Sequence, residues 1–135
     1  MTNESLQTAI KYIQLNSIVL HSLEANKHRR LTDLIRTKPE LILKSFESVV
    51  DIVENVQGEN HAIDLAIITD YNIYLIEVKS TFTKTRRSEA NQQLNHVAEV
   101  IYMVSGYYPK KVNVTMRSDK VIISESKGGS WITTP

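Results

Sequence analysis

Cysteine is absent from this chain of 135 residues, and with it go disulfides, zinc-thiolate sites, iron–sulfur clusters and cysteine nucleophiles. Any bound metal must be held by oxygen or imidazole. No basic region followed by an apolar core opens the sequence, and no apolar run approaches membrane-spanning length. The expectation is a soluble, intracellular (cytoplasmic) protein that stays off membranes. Repeats and low-complexity segments are missing too. Hydrophobic residues at 41% and charged residues at 23% are those of an ordinary globular chain and argue against disorder or a fibre. The length suits one domain and is too short for two, so 1–135 reads as a single domain.

A local absence is more informative. From Ser45 to Val78 there is no Lys or Arg, while that stretch carries seven acids: Glu47, Asp51, Glu54, Glu59, Asp64, Asp70 and Glu77. Lys27 to Lys44 holds six basic residues against two acidic, and Lys79 to Lys127 nine against four. The net charge of +1 therefore hides an acidic centre between basic flanks. Such a pattern suits carboxylates at a metal with surrounding cations on phosphates, and it is equally compatible with an ordinary charged surface.

Hydrophobic periodicity divides the chain further. Leu6, Ile10, Ile13, Leu20 and Leu23 recur at near-helical spacing and predict an amphipathic helix over Ser5 to Leu23. The basic stretch Lys27-His28-Arg29-Arg30 reads as a connection, followed by a short helical turn at Leu31, Leu34 and Ile35. The N-terminal helical segment is thus 5–36. Pro39 fits the first turn of another helix reaching Phe46. Val49 to Val53 is rich in β-branched residues and predicts a strand, broken at Gly58-Glu59-Asn60. Ala62–Ile68 and Asn72–Lys79 predict a hairpin around Thr69-Asp70-Tyr71-Asn72. Ser88 to Tyr102 returns to helical period, with Gly106 as a stop signal. Val112–Met116 and Lys120–Ile123 predict two last strands. The core spans 39–123, and the tail 128–135 reads as loosely held.

The hairpin carries the chemistry. A turn centred on Asp70-Tyr71 makes residues whose numbers sum to 141 face each other, so Asp64 opposes Glu77. Opposed side chains on one face have Cβ atoms about 5 Å apart, and like charges there destabilise unless compensated. A divalent cation is the obvious compensation. Lys79, two residues beyond Glu77, points to the same face. Ile63, Leu65, Ile67, Leu75, Ile76 and Val78 would bury both sides of this hairpin, which makes charges there harder to explain as ordinary surface residues. The alternative is a solvated face on which Lys79 is a salt-bridge partner.

Ile63-Asp64, twelve intervening residues, and Glu77-Val78-Lys79 resemble the signature of the PD-(D/E)XK nucleases, the group of type II restriction enzymes, Holliday-junction resolvases and RecB-like nucleases. Ile63 stands where the family usually has proline. The order of elements is similar as well, over about Pro39 to Ile123. The resemblance implies an α/β protein of the restriction-endonuclease-like class, with a central mixed β-sheet flanked by helices in the order αβββαβ. It implies phosphodiester hydrolysis, more in keeping with DNA than RNA, leaving 5′-phosphate and 3′-hydroxyl ends. It also implies Mg2+ or Mn2+ held by Asp64, Glu77 and the backbone carbonyl of Val78, hard oxygen donors suited to such ions, with Lys79 acting on the attacking water or the transition state.

Family members often carry a further glutamate on the helix before the first strand, for which Glu40 is preferred and Glu47 is the alternative. RecB-like branches use a glutamine on the helix after the active strand, which points to Gln93. A tyrosine one turn later in those branches has no counterpart at His96 or Val97. Lys84, Arg86 and Arg87 lie in the connection after the active strand and are candidate phosphate contacts. His61 and His96 read as solvated histidines. Tyr107, Tyr108 and Trp131 suit stacking or a dimer surface, although packing at the helix end suffices for the tyrosines. Small size and the two-strand nature of DNA favour a homodimer. The competing reading is a non-catalytic nucleic-acid-binding or assembly subunit on the same scaffold.

Overall fold

Thr69 closes the central hairpin by using its side chain as well as its backbone. Its N–H donates to Asn72 O at 2.9 Å, and its hydroxyl accepts from the N–H groups of Tyr71 and Asn72. In the computed structural model, which describes residues 3–17, 27–118, 120–125 and 130–133, this turn joins β2 (Ala62–Thr69) to β3 (Ile73–Val78). The pairs Ile68↔Ile73, Ile67↔Tyr74, Ala66↔Leu75 and Leu65↔Ile76 give the register expected from the sequence.

The chain is an α/β protein built on one mixed sheet of six strands in sequential order. β1 (Val49–Gln57) pairs antiparallel with β2, and β3 runs parallel to β4 (Lys110–Arg117). A parallel pair needs a long crossover, and α3 (Lys84–Ser105) supplies it. β5 (Lys120–Glu125) and β6 (Ser130–Thr133) follow antiparallel.

Alternation along the strands builds two cores. Ala66, Ile68, Ile73 and Leu75 pack with Ala9 and Ile13 of α1 (Asn3–Leu15) and with Leu94, Val97, Ala98 and Ile101 of α3. Leu65, Ile67, Tyr74 and Ile76 face the other way, against Leu31 and Ile35 of α2 (Lys27–Thr37) and against Val112 and Val114. Fully burying each such aliphatic side chain is worth about 1.5–3 kcal/mol, so the hairpin is anchored on both faces. No helix among the described residues is long and apolar enough to cross a membrane.

Several boundaries differ from the sequence reading. α1 stops at Leu15 because the chain then turns onto β1: Gln57 N donates to Asn16 O at 2.7 Å and Ser17 bridges to Val56. The expected continuation to Leu23 lies outside the described residues. The basic stretch is no connection but the first turn of α2, whose buried Leu31 and Ile35 hold it to the sheet. The helix expected from Pro39 is only a 3-10 turn, Pro39–Leu41. Beyond it Ile42 and Glu47 are both drawn into the interior, and one regular helix is replaced by turns. α3 starts at Lys84 rather than Ser88, with Thr83 as N-cap accepting from Arg86 N. Its end matches expectation, since Gly106 takes the left-handed conformation at φ 77° and donates to Tyr102 O. The tail read as loose contains β6, paired to β5 through Ile122↔Ile132 and Ile123↔Trp131.

Candidate active site

The ladder between β2 and β3 ends at Leu65↔Ile76, one pair before the two acids. There the carboxylates replace backbone carbonyls as acceptors. Asp64 N–H donates to Glu77 Oε1 at 3.1 Å, and Val78 N–H donates to Asp64 Oδ2 at 2.8 Å. On the other side of β2 one register runs from Glu54↔Leu65 through to Val56↔Ile63, and the intervening Asn55, at the level of Asp64, has φ 53°. Asparagine tolerates that left-handed conformation better than most residues. Beside Asp64, then, the β2–β3 ladder ends while the β1–β2 register continues past a left-handed Asn55.

Lys79 completes the group. Its ammonium lies 3.3 Å from Glu77 Oε2 and donates to Gln93 Oε1 at 2.8 Å. Its own N–H donates to Val114 O, which keeps the end of β3 attached to β4. Glu77 is 4% exposed. Behind it, Asn113 Nδ2 donates to Glu77 O at 3.0 Å, and Asn113 Oδ1 is buried without a partner.

His28, in the first turn of α2, was not foreseen as a site residue. Its Nε2 lies 3.3 Å from Asp64 Oδ2. The only trace in the sequence is a histidine inside the basic run. The packing of Leu31 and Ile35 that brings it to the sheet is a long-range relation.

Two carboxylates this close do not ionise independently. Burial, reinforced by the charge of Asp64 and the hydrogen bond to it, pushes the Glu77 carboxyl up to about 9, against the opposing pull of Lys79. Burial also works against ionisation of Asp64. There, hydrogen bonds from His28, Glu77 and the Val78 N–H together outweigh it, and the carboxyl is held below its ordinary range. The hydrogen bond to Asp64 raises His28 in turn, against its partial burial. Ionisation of Glu77 is therefore disfavoured while Asp64 is charged.

The other candidates are more scattered. Glu40 is exposed on the 3-10 turn and makes no hydrogen bond or ion pair with this group. It is not on a helix, because the expected helix does not form. Glu47 is buried at the opposite end of the hairpin, where it binds the hydroxyls of Tyr74 and Thr69, Asn72 Nδ2 and Lys44 N. Its role there is to hold the turn. Lys84, Arg86 and Arg87 belong to the first turn of α3, not to a connection; Arg86 is paired with Glu89 at 3.1 Å, and Arg87 lies over the Phe82 ring. Tyr107 packs inside and its hydroxyl accepts from Ile73 N–H.

Among the described residues no group of three or more His, Asp or Glu is arranged as it stands to enclose a metal ion. The donor set fits a hard cation of another kind, which takes one or two carboxylates and fills its remaining positions with water and substrate oxygen. Burial, with the neighbouring Asp64 carboxylate, disfavours the Glu77 charge even with Lys79 3.3 Å away, and such a cation would relieve this. No family model matches the chain, no curated protein matches it, and no solved structure matches it.

Proposed function

We propose that this protein is a divalent-metal-dependent nuclease with a PD-(D/E)XK-type site on a restriction-endonuclease-like core, hydrolysing phosphodiester bonds, with DNA as the favoured substrate. The observation that carries the reading is the convergence of Asp64, Glu77, Lys79 and Gln93 where the β2–β3 ladder opens. A scaffold without catalysis has no reason to keep two opposed acids at a buried strand end, where each costs desolvation.

Asp64 and Glu77 would hold Mg2+ or Mn2+, with the Val78 carbonyl as the further oxygen donor that the resemblance implies and His28 as a nitrogen donor 3.3 Å from the Asp64 carboxylate. The cation supplies Lewis-acid polarisation of the phosphate and activation of a water. The chain's own groups do the rest. Glu77 would hold the cation as the carboxylate, its proton released to solvent. Gln93 fixes the Lys79 side chain, so that the ammonium stays beside the acids and can offset negative charge that builds on the phosphate in the transition state. Cleaving both strands of a duplex calls for two such sites, which favours a homodimer, and an intracellular setting supplies both the cation and the substrate. The test is a cleavage assay on supercoiled plasmid, single-stranded DNA, branched DNA and RNA, in Mg2+, in Mn2+ and in excess chelator. Cleavage in the metals and none in chelator supports the reading; cleavage undiminished in chelator overturns it.

A further inference from the structure

Two arginines meet at one ring beside this site. The guanidinium of Arg87, on α3, is 4.4 Å from the centroid of Phe82, and that of Arg117, at the end of β4, is 5.7 Å from it. Phe82 follows Lys79 by three residues in the connection to α3. Arg117 lies on the β4 face that carries Asn113, since odd-numbered positions of β4 point away from buried Val112 and Val114. Asn113 is next to Glu77 across the parallel pair. The ring and both arginines thus stand just past the end of β3 that carries the acids, on the same side of the sheet.

What sets this cluster apart is that two arginines share one ring. Arg29, Arg36 and Arg86 are each paired with an acid, whereas Arg30 stands exposed and, among the described residues, alone. Among the described residues Arg87 and Arg117 form no ion pair, and Arg87 Nε is buried without an acceptor. Two like charges gathered at one ring repel each other unless an anion joins them. Stacking on an aromatic face holds a guanidinium in a fixed plane while leaving its forked N–H groups for an oxyanion. Two of the backbone amides nearby are engaged, Arg86 N with the Thr83 hydroxyl and Arg87 N with Thr83 O, and the guanidinium groups are the charged donors at the ring.

The geometry points to a phosphate subsite at Phe82, in which Arg87 and Arg117 grip the nucleic-acid backbone within one or two phosphates of the bond that is cut. It rests on the nuclease reading for the identity of the ligand. Pairing with β5, through Met116↔Val121 and Arg117↔Lys120, carries β4 beyond its last β3 partner at Val114 and so sets Arg117 past the end of β3. The subsite distinguishes Arg87 from Arg86, whose guanidinium is occupied by Glu89.

The test is fluorescence anisotropy with a labelled single-stranded oligodeoxynucleotide across a salt series in EDTA, using the full chain and the variants Arg117→Gln, Arg87→Gln and the double substitution. Phosphate contacts release counterions, so the slope of log affinity against log salt should become shallower by about 0.7 for each arginine removed. Arg117→Lys should keep most of the slope yet bind more weakly, because the fork is lost. Arg117 is exposed, so its replacement decides the matter if Arg87→Gln fails to fold. An unchanged slope in Arg117→Gln, or no binding by the wild-type chain, overturns the subsite. Plasmid cleavage in Mg2+ by the wild-type chain separates the two ideas. Cleavage with an unchanged Arg117→Gln slope overturns the subsite alone; a reduced slope without any cleavage upholds it and overturns the nuclease reading.

Discussion

Asp64 and Glu77 are joined through each other's strands: the Asp64 N–H binds the Glu77 carboxyl at 3.1 Å, and the Asp64 carboxylate binds the N–H of Val78, the residue after Glu77. The backbone ladder stops there and the acids take its place. Main-chain N–H groups therefore hold the two carboxylates side by side where the ladder opens.

That arrangement makes stability depend on pH in a definite direction. Glu77 titrates near 9 in the folded chain against an ordinary value of 4.5. A raised folded value means that its favourable contribution is complete below about 4.5 and is lost as pH rises through about 9. The urea midpoint of the metal-free protein should fall between pH 5 and pH 9, and Glu77→Gln should flatten that decline. Saturating Mn2+ at pH 9 should restore the midpoint, since the cation replaces the proton. A decline equally steep in Glu77→Gln would mean that the proton sits elsewhere.

Glu47 acts with the opposite sign. Burial disfavours its charge, but hydrogen bonds from Tyr74, Asn72, the Lys44 N–H and Thr69 outweigh burial and hold it below its ordinary range. Its stabilisation is present above about 4.5 and is lost as pH falls through the depressed value. Glu47→Ala would strand the buried Tyr74 and Thr69 hydroxyls and should cost on the order of 3 kcal/mol, read as a lower urea midpoint at pH 7. Metal affinity should not change, because Glu47 lies at the far end of the hairpin. A loss of metal affinity without a loss of stability would return Glu47 to the site.

Lys79 should separate binding from rate. The ammonium is no metal ligand, so Lys79→Ala should bind Mn2+ and nucleic acid near wild-type strength and yet cleave slower by a factor on the order of a hundred or more. Gln93→Leu, which frees the ammonium without removing it, should show a smaller loss in single-turnover rate with the same unchanged binding. Normal cleavage by Lys79→Ala would reduce the lysine to an ion-pair partner of Glu77.

His28 should matter through Asp64. Imidazole suits Mn2+ better than Mg2+, so His28→Ala should weaken Mn2+ binding by roughly tenfold and Mg2+ binding less, as measured by calorimetry. Equal or tighter Mn2+ binding in His28→Ala would show that the histidine competes with the cation for Asp64.

What the sequence revealed follows from how local each relation is. The Asp64–Glu77 opposition was legible because Thr69-Asp70-Tyr71-Asn72 makes an even loop between two β-prone runs, and an even loop fixes the register. Lys79 followed from alternation alone, and Gly106 from the need for a left-handed stop. Gln93 was found through a family resemblance, not from the helix pattern. His28 was hidden because α2 packing brings it to Asp64, and Arg117 because the parallel β3–β4 register brings it to the Phe82 ring, relations that no short window contains. The helix expected at Pro39 failed because tertiary burial of Ile42 and Glu47 overrode local preference.

The most direct measurement is the rate of supercoiled-plasmid cleavage in Mg2+ by the wild-type chain and by Asp64→Asn, with both shown to be folded by circular dichroism. The expected result is cleavage by the wild type, its abolition by chelator, and none by Asp64→Asn although that variant remains folded. Full activity in Asp64→Asn, or no cleavage of any nucleic acid by the wild type in Mg2+ or Mn2+, would contradict the assignment of Asp64 and Glu77 as the metal site of a nuclease.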